Sequence, residues 1–193
     1  MKKKIKSLHI AVDGSSASGK TTASKIISKE FKLKLLSSGK LYRYIAYKII
    51  KNKNKYNKNI IKNFSKSISE KKLNSKKLYS QSVTSLSSII AKKKYIRNYL
   101  KNYQIDFIKK NKFVIIEGRD IASKILPNAD LKLFFRCSIR KKALRRFEEF
   151  KKNNSSIKIK EVEKALKLRD FSDKNRKESP LLFVKGAVLV DTT

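Results

Sequence analysis

Gly14-Ser15-Ser16-Ala17-Ser18-Gly19-Lys20-Thr21 carries the most chemistry in this chain: two glycines bracket four small residues, and a lysine and a hydroxyl follow at once. Glycines let a backbone curl until successive N–H groups face one point, and a helix starting there adds its positive N-terminal end. Such a loop cradles phosphates, which makes this segment a P-loop. Lys20 is placed to reach the β- and γ-phosphates of a nucleoside triphosphate, and the Thr21 hydroxyl is placed to ligate Mg²⁺. A glycine-containing turn before an ordinary helix is the bland alternative.

Three further strings set arginines, hydroxyls and carboxylates where a second anion could bind. Ser37-Ser38-Gly39-Lys40-Leu41-Tyr42-Arg43 offers a hydroxyl and a planar cation about one turn apart, although Ser38 alone also reads as a helix N-cap. Glu117-Gly118-Arg119-Asp120 follows an apolar run directly, and a surface turn is its simplest alternative. In Arg169-Asp170-Phe171-Ser172-Asp173-Lys174-Asn175-Arg176, residues 169, 173 and 176 are spaced to project from one helix face. That spacing suits a solvated ion-pair row as well as a phosphate site. Arg145 and Arg146 lie on a basic helical stretch before a polar loop, where a closing lid could bring positive charge to a transferring phosphoryl group.

These loops need elements to hold them. Lys6 to Asp13 reads as a buried strand, and Thr21 to Phe31 carries apolar residues at helical spacing. Leu33 to Leu36 is a second strand, leading into a helix with Tyr42, Ile45, Ala46, Ile49 and Ile50 on its apolar face. Lys51 to Lys77, rich in Lys, Asn and Ser, reads as an insertion or a poorly ordered subdomain. Helices follow over Gln81 to Ala91 and Tyr95 to Lys110, then a strand over Phe113 to Ile116, with the continuous apolar run of a central parallel strand. Leu131 to Cys137 is the next strand, Ile139 to Phe150 a basic helix, Lys151 to Lys160 a polar loop, Val162 to Lys174 a helix and Ala187 to Val190 a fifth strand. Strands alternating with helices predict an α/β fold with a doubly wound five-stranded parallel sheet, in which ligands bind beyond the strands' carboxyl ends. The motif loops leave those ends.

Composition limits the rest. A chain of 193 residues, 40% apolar, suits one α/β domain over 1–193. No apolar run approaches the roughly 20 residues a bilayer crossing takes, and the N-terminal residues run into a strand-like segment without a signal-type apolar region, so a cytoplasmic protein is expected. With Cys137 the sole cysteine and His9 the sole histidine, an internal disulfide, a thiolate-rich metal site and a histidine-based triad are all excluded. The formal charge of +35 would ordinarily suggest nucleic acid or an anionic membrane. It is spread along the whole chain, though, beside an excess of Asn and Ile, the pattern of an A+T-rich coding sequence. No aromatic-interleaved basic segment accompanies it. With 41 lysines against 9 arginines and 5 glycines, the glycines and arginines carry the information. An arginine's planar fork cannot be replaced by a lysine's point charge.

Together these strings resemble the bacterial cytidylate kinases of the nucleoside monophosphate kinase superfamily. The matching segments are VDGSSASGKTTASKI, LLSSGKLYR, IIEGRDIASKILPNADLKLFF and LRDFSDKNRKESPL followed by VDTT. The resemblance implies a P-loop kinase fold with a reduced monophosphate-binding insert over 51–83 and a lid loop at about 148–160. It implies phosphoryl transfer from ATP to CMP or dCMP by a monomer, with Mg²⁺ held at Thr21, and no specific nucleic-acid or membrane partner. ATP would be held by Gly14, Ser15, Ser16, Ala17, Ser18, Gly19, Lys20, Thr21 and Thr22. Phosphate or sugar contacts to CMP would fall to Ser38, Arg43, Arg119, Arg169, Asp173 and Arg176, and cytosine recognition to Ser88, Arg97 and Asp120. Lys20, Arg145, Arg146 and Arg169 would stabilise the transferring group. The chain departs from the family pattern with Ser15 in place of proline, Glu117 in place of aspartate, and Tyr79 in place of an arginine. Another P-loop kinase, of adenylate, shikimate or dephospho-coenzyme A, and a non-catalytic nucleic-acid-binding protein on a kinase scaffold remain the alternatives.

Overall fold

A computed structural model describes residues 5–151 and 158–193. Five strands, β1 (Leu8–Gly14), β2 (Lys34–Ser37), β3 (Phe113–Gly118), β4 (Leu131–Arg136) and β5 (Val188–Asp191), form one parallel sheet in the order β2-β3-β1-β4-β5. The sheet reverses winding direction around β1, as a doubly wound architecture requires, and the five-stranded expectation holds. Register fixes where the loops emerge: Asp13 lies opposite Gly118 of β3, and Gly14 lies opposite Phe135 of β4. The glycine-rich loop and the Glu117-Gly118-Arg119-Asp120 string therefore leave adjacent strands at the same level.

The chain divides into two compact units, one built from residues up to Leu35 together with Lys112–Thr193, the other from Leu36–Asn111. In the first, α1 (Lys20–Glu30) packs Ala23 and Ile27 against a core of Ile10, Val12, Leu33, Ile115 and Phe135. Helices α7 (Ile139–Lys151) and α8 (Ile159–Asn175) pair through Ala143, Val162 and Leu166, with Ala17 of the glycine-rich loop against the same cluster. The Glu161 carboxylate accepts from the Lys158 amide at 3.0 Å, so α8 starts three residues before its expected Val162. Of the polar loop at 151–160 and the lid at about 148–160, residues 152–157 lie outside the described residues.

The second unit holds α2 (Ser38–Lys51), α5 (Gln81–Ile90) and α6 (Lys94–Lys110), as their apolar spacing predicts. Residues 51–77, expected as an insertion or a poorly ordered subdomain, carry short helical elements. They form α3 (Lys58–Lys66), α4 (Glu70–Leu73) and the start of a 3₁₀ turn over Lys76–Tyr79. One buried apolar anchor serves each piece, Ile61, Leu73 and Leu78 in turn. Asn57 caps α3 by accepting from the Ile60 amide at 2.9 Å, satisfying a donor that a helix start leaves open.

Candidate active site

Gly14 allows the loop to leave β1 at all. A Cβ at this position would lie 2.5 Å from the Phe135 carbonyl oxygen, so no other residue fits without moving β4. At the far end Gly19, with φ 81°, turns the chain into α1. Between them Ala17 also takes a left-handed conformation, φ 56°, which for a residue with a Cβ stores strain that its surroundings must hold.

Lys20 is the first residue of α1 and is 6% exposed, its ammonium donating to the Ser15 carbonyl at 3.0 Å and so closing back over the loop. Burial lowers its pKa to about 7, with the charge of Arg119 pushing the same way and Glu117 opposing. Thr21 donates from Oγ1 to the Glu117 carboxylate, 2.9 Å from one oxygen and 3.0 Å from the other. Glu117 is 3% exposed at the end of β3. A hydroxyl and a buried carboxylate side by side form a hard oxygen pair of the sort Mg²⁺ takes alongside phosphate oxygens and waters.

The Arg119-Asp120 string is aimed by Asp13. Its two carboxylate oxygens accept from the amides of Ile121 and Ala122 at 2.9 and 2.8 Å, pinning the π-helical turn Ile121–Ile125 that follows Asp120. Burial raises the Asp13 pKa to about 6 against those two amides, which lower it. Asp120 itself is buried.

Arg119 and Arg176 converge on Asp173. Arg119 Nε donates to Oδ2 at 2.9 Å, Arg176 Nη1 to Oδ1 at 3.4 Å. Desolvation works to raise the Asp173 pKa, and the charges of Arg119, Arg176 and Arg169 outweigh it, leaving the carboxyl below its usual range. Residues 169, 173 and 176 are expected on one helix face, but α8 ends at Asn175 and Arg176 is extended, φ −68° and ψ 140°. Its guanidinium still turns back to Asp173 because Nε donates to the Ser179 carbonyl at 2.7 Å.

Arg145 and Arg146 part company. Arg145 donates to the Thr192 carbonyl at 2.9 Å and to its hydroxyl at 3.3 Å, and Thr192 Oγ1 donates to the Ser18 carbonyl at 3.0 Å. Arg145 and Thr192 thus sit together beside Gly19. Arg146 pairs with Glu149 of its own helix at 2.6 Å.

The second unit carries the other candidates. Ser38 is buried as the first residue of α2, one position inside the N-cap, Ser37. Arg43 donates to the Leu78 carbonyl at 3.1 Å and Thr84 Oγ1 at 2.6 Å, its guanidinium 5.0 Å from the Tyr79 ring centre. Ser88 Oγ donates to the Thr84 carbonyl at 3.3 Å. Arg97, 8% exposed, donates to the Ala91 carbonyl at 2.9 Å and lies 5.5 Å from the Tyr42 ring centre.

Lys142 and Asp170 escaped the sequence reading and both touch the glycine-rich loop. Lys142 pairs with Asp170 and reaches Ser15 Oγ at 3.3 Å, while Asp170 accepts from the Ser16 amide at 3.3 Å. Lys142 does not stand out by type, one lysine among 41, and Asp170, though its type is scarce, has its partners far away in sequence on the loop and on α7.

Residues 10–193 match the family described as cytidylate kinase. The chain belongs to that family. It is 34% identical to the cytidylate kinase of Phytoplasma mali (strain AT) across 98% of this chain and 88% of that one. With the cytidylate kinase of Mycoplasmoides gallisepticum it shares 34% identity over 100% of its own length and 89% of the relative's. Among solved structures, an uncharacterized protein from Eubacterium ventriosum superposes with TM-score 0.52 at 14% identity, covering 96% of this chain and 88% of that chain, a likeness of fold alone. Family membership does not favour the alternative of a non-catalytic nucleic-acid-binding protein on a kinase scaffold. Among the described residues, no helix is long and apolar enough to cross a membrane.

Proposed function

We propose that this chain transfers the γ-phosphoryl group of ATP to CMP or dCMP, giving ADP and CDP or dCDP. The observation that carries this reading is the convergence, at the carboxyl ends of β1 and β3, of a phosphate-cradling loop, a buried lysine and an arginine-carboxylate cluster on a cytidylate kinase chain. An ionised phosphate oxygen is already a nucleophile, so the protein's work is to align, neutralise charge and exclude water. Amides of Gly14 to Thr22 and Lys20 take the triphosphate. Arg119, Arg169 and Arg176, oriented by Asp173, take the acceptor's phosphate, with Ser38 and Arg43 assigned to the same nucleotide. Ser88, Arg97 and Asp120 read cytosine: a carboxylate accepts from the exocyclic amine, while a hydroxyl and a guanidinium donate to the ring nitrogen and carbonyl. Arg145, through its place beside Gly19, and Arg146 add positive charge on the donor side.

Thr21 and Glu117 would hold Mg²⁺, which when bound neutralises charge on the β- and γ-phosphate oxygens. The enzyme is expected to act as a monomer in the cytoplasm. A coupled ADP assay with CMP, dCMP, UMP, AMP and shikimate in parallel tests the reading: CMP or dCMP should stimulate ADP release well above the other three. Equal or greater stimulation by AMP or shikimate would refute it.

Proton linkage gives a second check. The Lys20 pKa of about 7 lies below the ordinary 10.5, so between those values the unfolded chain binds the extra proton and stability without nucleotide rises with pH. A bound triphosphate restores the charged form. ATP binding at pH 8 should therefore take up close to one proton, measured by calorimetry in buffers of different ionisation enthalpy, and affinity should fall as pH rises above 7. A buffer-independent heat would contradict this.

A further inference from the structure

A carboxylate bonded to an amide of an anion-binding loop is electrostatically awkward, and Asp170 is in that position. Its Oδ1 accepts from the Ser16 amide at 3.3 Å, on the loop whose amide dipoles attract phosphate. An ionised aspartate there would repel a triphosphate. The other oxygen, Oδ2, is taken by Lys142, which is 4% exposed on α7 and so held where water screens little. The same ammonium reaches Ser15 Oγ at 3.3 Å, so the pair grips two consecutive residues of the loop, one by hydroxyl and one by amide. Next to them Ala17, strained at φ 56°, lies against the Ala143, Val162 and Leu166 cluster that joins α7 to α8. Backbone strain persists only where the surroundings over-determine it, and these helices surround it.

We propose that Lys142 and Asp170 act as a charge-neutral clamp, Asp170 holding the Ser15–Ser16 backbone in the shape that receives ATP while Lys142 cancels the carboxylate's repulsion of the triphosphate. They are positioning residues, since neither is required to touch the reacting atoms. The inference rests on Gly14 to Thr22 being the ATP loop. Ser15 sharpens it: only a residue with a side-chain acceptor at this position can take the lysine's second bond.

The two charges have opposite effects on nucleotide binding, which a mutant cycle exposes. Lys142→Met removes the cation and leaves Asp170 facing the phosphates, so ATP affinity should fall at least about tenfold, a modest figure for an uncompensated charge in a poorly screened site. Asp170→Asn keeps the acceptor for the Ser16 amide and removes the repulsion. ATP affinity of that single variant should stay level or rise, with a steeper dependence on salt. Adding Asp170→Asn to Lys142→Met should bring affinity back to within about threefold of the unsubstituted chain, a suppression expected of coupled neighbours. Affinity for CMP alone, by calorimetry on the same proteins, should change less than about twofold throughout if the coupling is confined to the donor side. A purely structural ion pair would lower Tm in Lys142→Met and leave the ATP affinity of the folded protein unmoved, which would overturn the proposal, as would a double variant no better than Lys142→Met. If Lys142→Met does not fold, Asp170→Asn decides: a loss of ATP affinity beyond about tenfold refutes the clamp, since neutralising a repelling carboxylate cannot weaken anion binding that far. Failure of the unsubstituted chain to bind ATP would instead remove the ATP-loop reading, and this inference with it.

Discussion

Lys20→Ala should reduce CMP-dependent ADP release by roughly three orders of magnitude or more, the scale at which losing one preorganised charge at a phosphoryl or oxyanion site is felt. The fold should survive. Lys20 is buried with its pKa drawn down to about 7, so its ionised form is an electrostatic cost to the nucleotide-free protein and not a support for it. Its hydrogen bond to the Ser15 carbonyl is an intra-loop contact that water can replace once the side chain is gone. Thermal unfolding of the variant should therefore give a Tm equal to or above that of the unsubstituted chain when no nucleotide is present, and the stabilisation that ATP confers should shrink. The rise of stability with pH between about 7 and 10.5 should also vanish, because the group responsible has been removed. Turnover near the normal rate would contradict the assigned mechanism; lost turnover with a collapsed Tm would mean that Lys20 serves the fold.

How far such assignments could be read from sequence depended on which residues the lysine-rich background could imitate. Gly14 was legible because its requirement is absolute: a Cβ would sit 2.5 Å from a backbone oxygen. The central strands β1 and β3 are legible because buried parallel strands demand continuous apolar runs, and the apolar runs place β1, β3 and β4 within a residue or two of their expected bounds. Arg169, Asp173 and Arg176 stand out in the sequence as rare arginines spaced around a carboxylate on one expected helix face. That helix stops at Asn175, the Arg176–Asp173 contact survives because Ser179 turns Arg176 back, and the Arg119 contact to Asp173 is carried by no spacing signal.

What could not be read had weak or common signals. Residues 51–77 offer one buried anchor per short helix, too few for any periodicity to emerge, and the Asn57 cap looks like any other asparagine in an Asn-rich stretch. The π-helical turn at Ile121–Ile125 exists because Asp13, more than a hundred residues earlier, consumes its leading amides. Long-range causes of that kind leave no local mark. Lys142 combines both difficulties, a common residue type and a partner loop far away in sequence, and Asp170, of a scarce type, has the second alone.

Asp173→Ala is expected to produce the second large effect, a fall in kcat/KM for CMP of roughly a hundred- to a thousandfold, as follows when one partner of a buried, hydrogen-bonded charge pair is truncated. The carboxylate accepts from Arg119 and Arg176 together, and its lowered pKa records the attraction of Arg169 as well. Without it three guanidinium groups repel one another, and the fork geometry that a phosphate would meet is lost. Most of the loss should appear as a higher KM for CMP, with a smaller change in ATP affinity, because the Lys20–Ser15 and Thr21–Glu117 hydrogen bonds do not involve Asp173 and its charge is the weakest of the influences on Lys20. Stability carries a signature of its own. A carboxyl held below its usual pKa of 3.8 contributes stability that is present above that value and is lost as pH falls through the lowered one. The variant should therefore be less stable than the unsubstituted chain at neutral pH, and the gap should close in strong acid. A solvated ion-pair row at the end of α8 would behave otherwise, costing under about 1 kcal/mol and changing kcat/KM by less than about threefold. The side chain of Asp173 is 13% exposed and that of Arg176 6%, which places the cluster on the buried side of that distinction and makes the larger loss the expected result.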